Sequence, residues 1–323
     1  GKFPTNTPDP RKQDPPPKPG GGATDPNGEV IDPGSGAGNH PGGRATDPGS
    51  GAGNHPGGRA TDPGSGAGNH PGGRATDPGS SAGNHPGGGA ADQQDEALKQ
   101  HIVNYLISSL IHQGIKDTLS IHNNATWNES GEDYNISSAT QFFGVIQYTD
   151  AQKQPKLYNT QDDESKAARH EMYLGFGYDD LDIKAFGKLA NKMVATQNVQ
   201  MKTELANMVD KIREYARAFY LTTCNTIINK QDKLMKLDLS DLQTLEDKML
   251  TIHSANSNIR EKFVFQIHKD YYNNIEIGTA KHTLQDNATA EEIQAYLNGK
   301  FTPIESDFDN AINTANEISR YLK

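Results

Sequence analysis

The chain has 323 residues, a formal net charge of −10 and one cysteine, and its composition divides it into two unlike parts. Residues 1–92 hold 25 of the 33 glycines and 16 of the 18 prolines and cannot bury a core, whereas residues 93–323 carry nearly all the Leu, Ile, Met, Phe and Tyr. Both parts are acidic, with seven basic against nine acidic residues before position 93 and 24 against 32 after it, which argues against nucleic acid or an anionic membrane surface as the main partner of either.

Residues 1–22 form a Pro- and Lys-bearing linker in which Pro15, Pro16 and Pro17 favour a locally extended polyproline geometry. A 15-residue unit follows, DPGSGAGNHPGGRAT from Asp32, repeated from Asp47 and Asp62, with a degraded copy from Asp77. It contains no apolar side chain larger than Ala, so stacked copies would bury almost nothing and a solenoid is disfavoured. It also lacks glycine at every third position, which excludes a collagen helix. The expectation is a disordered Gly/Pro-rich tail over residues 1–92, with its four repeats at 32–91, spanning on the order of 50–60 Å as a coil. Each repeat carries one histidine, His40, His55, His70 and His85. A metal array built from them would pay loop-closure entropy for every ligand gathered, so a plain spacer is the preferred reading.

From Asp92 the texture becomes helical. Leu98, Ile102, Val103, Leu106, Leu110, Ile111, Ile115 and Leu119 predict a first helix over 94–119, with His101 and His112 on its flanks. The polar stretch 122–135 reads as an exposed loop, in which Trp127 is either an anchor packed onto the bundle or a contact residue for a partner. Phe142, Phe143, Val145 and Ile146 predict a short helix over 138–148.

Residues 199–236 predict one long amphipathic helix, or two with a break near Asn225; uninterrupted it would reach roughly 55 Å and form the spine. Ser240-Asp-Leu-Gln243, Thr289-Ala-Glu-Glu292 and Thr302-Pro-Ile-Glu305 read as capping boxes, with Gly299 closing the helix between the last two. Leu242, Leu245, Met249, Ile252, Ile259, Phe263 and Ile267 keep close to a heptad. The final helix should bury Ile304, Phe308, Ile312, Ala315 and Leu322, with Ile318 nearby. The sum is an all-α bundle of about seven or eight helices around one long central helix, over residues 93–323, with no convincing strand.

The densest segment is 164–191. It reads as two helices joined at a Gly-Phe-Gly-Tyr-Asp-Asp corner, the second presenting Leu181, Ile183, Phe186, Leu189 and Met193. Gly175 and Gly177 can end the first helix, and Asp179 or Asp180 can cap the next. The run Arg169-His-Glu-Met-Tyr-Leu-Gly-Phe-Gly-Tyr-Asp179, followed by Ile183-Lys-Ala-Phe-Gly187 and Leu189, resembles the Borrelia paralogous outer surface lipoprotein family of the complement regulator-acquiring surface protein. The similarity covers the helical domain from about Leu98 to Leu322 and not the repeats. It implies a surface lipoprotein of a tick-borne spirochaete, held on the outer membrane by a lipidated cysteine preceding Gly1, with the tail as tether. In such a bacterial protein the glycosylation-like triplets at Asn124, Asn128, Asn135 and Asn287 are chance matches. No ligand-contact motif of the family is carried onto particular positions, so the ligand-binding residues are unknown at this stage.

Catalysis would have to come from Asp179 with Asp180, from His170 beside Glu171, or from Cys224 with a distant His. Helix-start aspartates serve as caps and adjacent helix positions do not face one another. No HExxH, phosphate loop or nucleophile elbow is present, no cofactor or metal motif is found, and the expectation is a protein that is not an enzyme. Cys224, in a helical run, reads as a small buried apolar residue. Three roles follow: capture of a host protein, foremost a complement regulator such as factor H or another complement component; adhesion to host matrix or tick tissue; or an antigenic coat with no dedicated ligand. The coat reading predicts no concentrated patch of exposed apolar side chains. The mixed charges of 202–217 and 260–269 favour protein over glycosaminoglycan as partner. A monomer is preferred, with a homodimer open.

Overall fold

The computed structural model describes residues 89–323. The repeats before Gly89, their spacer role and the four-histidine array lie outside the described residues. The described residues contain eleven α-helices: α1 (Gly89–Tyr105), α2 (Gln113–His122), α3 (Asp163–Gly175), α4 (Asp180–Val194), α5 (Val199–Ala216), α6 (Thr226–Asn229), α7 (Gln231–Lys236), α8 (Leu239–Ile259), α9 (Phe265–Tyr272), α10 (Ala290–Phe301) and α11 (Glu305–Tyr321). π-helical turns extend α1 through Leu106–Leu110 and join α5 to α6 through Arg217–Asn225 and α8 to α9 through Arg260–Val264. A 3-10 turn, Thr302–Ile304, joins α10 to α11. Counted as unbroken stretches these make eight among the described residues, and the all-α bundle is as expected.

Two stretches are long: 199–229, roughly 45 Å, and 239–272, roughly 50 Å. The π turn in each keeps its apolar face on the core. The α11 helix packs along α8 and against the π turn of the 199–229 stretch, while α3 and α4 pack on α5 and α9 covers α4. One continuous hydrophobic core results. Aromatic rings thread it, Phe186 to Phe263 at 6.3 Å, Phe263 to Phe308 at 5.9 Å and Phe308 to Tyr215 at 5.4 Å, tying four separate helical stretches together. The predicted heptad residues Leu242, Leu245, Met249, Ile252, Ile259, Phe263 and Ile267 are all buried.

Several boundaries differ from the sequence expectation. The first helix begins at Gly89, inside the last repeat, and it is not continuous to 119. The chain leaves helical geometry at Ile111, and His112 restarts it by accepting the Gly114 N–H on Nδ1 at 3.2 Å. The predicted helix at 138–148 is instead a 3-10 turn, Phe142–Gly144, followed by strand β1 (Gln147–Thr149), which pairs antiparallel with β2 (Pro155–Leu157). The three-residue strand buries only Tyr148, so it leaves almost no alternation to read. A second two-stranded pair, β3 (Glu276–Ile277) with β4 (His282–Thr283), closes the connection after α9. The break in 199–236 falls at Lys230, whose backbone leaves the helical region, not at Asn225.

Of the three capping boxes, only that of Thr289 and Glu292 forms. The α8 helix starts one residue before Ser240, with Asp238 at its cap position. Gly299 does not end α10, which runs on to Phe301 and through Pro303 into α11. Ile312 lies off the buried face of α11, where Ala311 and Thr314 are buried in its place.

Candidate functional site

The corner between α3 and α4 is built by two unusual backbone positions. Gly177 has φ +64° and Tyr178 φ +55°, and the Tyr178 N–H reaches back to the Tyr173 carbonyl at 2.8 Å, capping α3. Asp179 then caps α4 by accepting the Asp182 N–H on Oδ1 at 3.0 Å. Asp180 instead pairs with Lys184 at 2.8 Å. The close approach of helices requires Gly175, because a Cβ there would lie 2.5 Å from Ile212 Cγ2 on α5.

The first turn of α4 meets α9 across a polar seam. His268 Nδ1 donates to Asp182 Oδ1 at 2.7 Å, and Arg260 Nη2 stands 4.0 Å from Asp182 Oδ2. Burial, with the charge of Asp179 added, raises the Asp182 carboxyl, while Arg260 and His268 oppose the rise. On the outer side of this seam the Arg260 guanidinium lies over the Phe265 ring at 4.8 Å, the His268 and Tyr272 rings are 4.9 Å apart, and the Tyr272 hydroxyl donates to the Leu181 carbonyl at 3.2 Å. Phe265, His268 and Tyr272 form one stripe at positions i, i+3 and i+7.

Six large apolar side chains are exposed among the described residues, and three of them, Leu181, Phe265 and Tyr272, at 48%, 44% and 41%, meet here. Leu181 therefore does not belong to the buried face the sequence assigned it. Aromatic rings with an arginine at an exposed apolar patch are the side chains that dominate protein-binding surfaces. None of Arg260, Phe265, His268 and Tyr272 was singled out as a site from the sequence; the only signal was their shared helix face.

The residues weighed for catalysis are occupied elsewhere. His170 turns away from Glu171 and places Nε2 3.3 Å from Glu129, which also takes both prongs of Arg169 at 2.6 and 3.1 Å and the Tyr173 hydroxyl at 2.8 Å. Burial alone would raise the Glu129 carboxyl, yet hydrogen bonds from His170, Arg169 and Tyr173, with the Arg169 charge, pull it down to about 2. Glu171 joins Arg213 at 3.5 Å and also pairs with Arg217. Trp127 is half-buried, its ring meeting His170 and Tyr178 edge-on at 5.1 Å each and Tyr173 at 5.8 Å, so it is the anchor of its loop. Cys224 is fully buried and burial pushes its thiol far up. The arrangement holds no nucleophile next to a base among these residues. Two open grooves of about 400 and 410 Å³ also occur, one between α8 and α11 lined by Leu250, Ala255 and Asp307, and one beside Lys230 and Leu322.

Residues 123–323, well over half of the chain, match the family described as Borrelia Bbcrasp-1 domain containing protein. The chain belongs to this family. The match begins at residue 123, later than the expected start near Leu98, and leaves α1 and the whole of α2 outside it. Membership sets the chain among Borrelia outer surface proteins. Among solved structures, this Bbcrasp-1-family chain is similar to the Borrelia burgdorferi outer surface protein BBA66, at 13% identity over 71% of this chain and 98% of that one, with a TM-score of 0.45. It is also similar to a C-terminal proteolytic fragment of a Borrelia burgdorferi outer surface protein, at 14% identity over 71% and 98% of the two chains, with a TM-score of 0.43. The Borrelia burgdorferi outer surface lipoprotein BBA64 is similar at 14% identity over 72% and 100%, with a TM-score of 0.38. No curated protein matches the sequence.

Proposed function

We propose that this member of the family captures a host protein at the spirochaete surface, using the α4–α9 patch of Leu181, Phe265, Tyr272 and Arg260 as its docking face, and that the captured protein is a complement regulator such as factor H. In this reading a lipid anchor beyond the N-terminal tail holds the chain on the outer membrane, residues 1–92 act as the tether, and the bundle is monomeric. The observation that carries the proposal is the gathering of three of six exposed large apolar side chains beside one stacked arginine. A coat protein without a ligand has no use for such a concentration. The mixed-charge surroundings, with Asp180 and Lys184 paired at the rim, suit a protein surface better than a polyanionic sugar.

The test is retention from host serum on the immobilised full chain, with the proteins identified after washing. Retention of factor H by the wild-type chain, and its loss when Leu181→Ser, Phe265→Ser and Tyr272→Ser are combined, supports the reading. Failure to retain any complement protein, or retention that the triple substitution leaves unchanged, defeats it.

A further inference from the structure

The seam under the patch holds one donor set that neither capping nor docking uses up. One potential ligand atom from each of Asp179, Asp182 and His268 lies within 4.8 Å of the others. Asp182 is the decisive member. Its side chain is 2% exposed, Oδ1 accepts from His268 at 2.7 Å, and Oδ2 has no hydrogen bond at all. A buried carboxylate oxygen left without a donor is costly, and it faces the seam. The nearest cation, Arg260 Nη2, stands 4.0 Å from it, outside hydrogen-bond reach.

Charge points the same way. Asp179, Asp180 and Asp182 crowd the first turn of α4, against only Arg260 at the seam and Lys184, which pairs with Asp180. One negative charge is left over, beside the His268 imidazole. Asp179 spends only Oδ1 on its cap, leaving its second oxygen free, and as an exposed residue it can swing towards the other two donors to reach metal–ligand distances of about 2.0–2.2 Å.

We infer that Asp179, Asp182 and His268 form a site for a first-row transition-metal dication of the zinc type, which would clamp α4 to α9 directly beneath the exposed patch. The class follows from the donors: one imidazole with two carboxylates suits zinc, whereas calcium asks for six to eight oxygens. Binding replaces the hydrogen bond that His268 now shares with Asp182.

The experiment is thermal unfolding of the full chain with and without zinc chloride, and with calcium chloride in its place. Zinc taken up equally by the folded and the unfolded chain leaves the midpoint where it is, whereas a site that exists only in the fold raises it. At zinc about tenfold above the dissociation constant the expected rise in Tm is roughly 3–6 °C. Asp179→Asn keeps the helix cap, since asparagine caps as well as aspartate, but removes a charged ligand; His268→Gln keeps a hydrogen-bond donor to Asp182 but removes the imidazole. Each is expected to weaken the zinc effect at least about tenfold in concentration. No rise in the wild-type chain, an equal rise in both variants, or an equal rise with calcium overturns the assignment.

Discussion

Arg169 grips Glu129 with Nε and Nη2 at 2.6 and 3.1 Å across 40 residues of sequence, and in doing so fixes the Trp127 loop onto α3. The Arg169 side chain is 7% exposed and its Nη1 also donates to the Tyr158 and Thr160 carbonyls at 2.7 and 2.9 Å. Removing the acid strands a buried guanidinium, so Glu129→Ala should cost about 3–5 kcal/mol in urea unfolding.

The same pair predicts acid sensitivity. The folded pKa of Glu129, about 2, lies below its ordinary value of 4.5, so its stabilisation is fully present above that ordinary value and is lost as pH falls towards about 2. The loss should amount to about 2–3 kcal/mol once the partial exposure of the pair is allowed for. Unfolding free energies measured between pH 6 and acid should fall more steeply for the wild type than for Glu129→Gln, which has no charge to lose. Parallel curves would show that the pair does not hold the loop.

Gly175 allows α3 and α5 to touch. A Cβ at that position would lie 2.5 Å from Ile212 Cγ2 and 3.3 Å from the Ile212 carbonyl, so Gly175→Ala should destabilise by about 1–3 kcal/mol despite alanine's better helix propensity. Gly177→Ala combines a left-handed φ of +64° with a Cβ 2.9 Å from Arg260 Nη1, and should disturb the patch as well as the corner. The glycines of the family-like run thus have steric causes.

Trp127 is the sole tryptophan and reports on its own loop. Its emission in the folded chain should be shifted to the blue of the unfolded chain, and Trp127→Ala should cost about 2–3 kcal/mol, below the 3–5 typical of full burial because the ring is half-buried. Emission already at the fully hydrated position would mean the loop is undocked.

Cys224 should be inert to thiol reagents in the native chain and react stoichiometrically in denaturant, since it is fully buried with its thiol pushed up by desolvation. Rapid labelling under native conditions would place the 217–225 turn outside the core.

The long helices were legible because Leu205, Met208, Val209 and Ile212, like the heptad from Leu242 to Ile267, repeat at helical spacing and are buried for that reason. The corner was legible through its glycines and Asp179. The Tyr148 hairpin was not, because three residues give no period to detect. His112 as a cap was missed because imidazole is an uncommon capping group, and Gly299 was misread because a glycine facing open space can sit inside a helix. The candidate site escaped for a different reason. It exists only when α9 lies on α4, bringing His268 to Asp182 across 86 residues, and no local pattern encodes that pairing.

The most direct test is surface plasmon resonance of purified factor H over the immobilised full chain, comparing wild type with the Leu181→Ser, Phe265→Ser and Tyr272→Ser combination after circular dichroism shows both equally helical. The account predicts saturable binding by the wild type and a dissociation constant at least about tenfold weaker in the variant, as expected when several anchors of an interface are removed. Saturable binding that the triple variant keeps in full, or no binding by either chain, would contradict it.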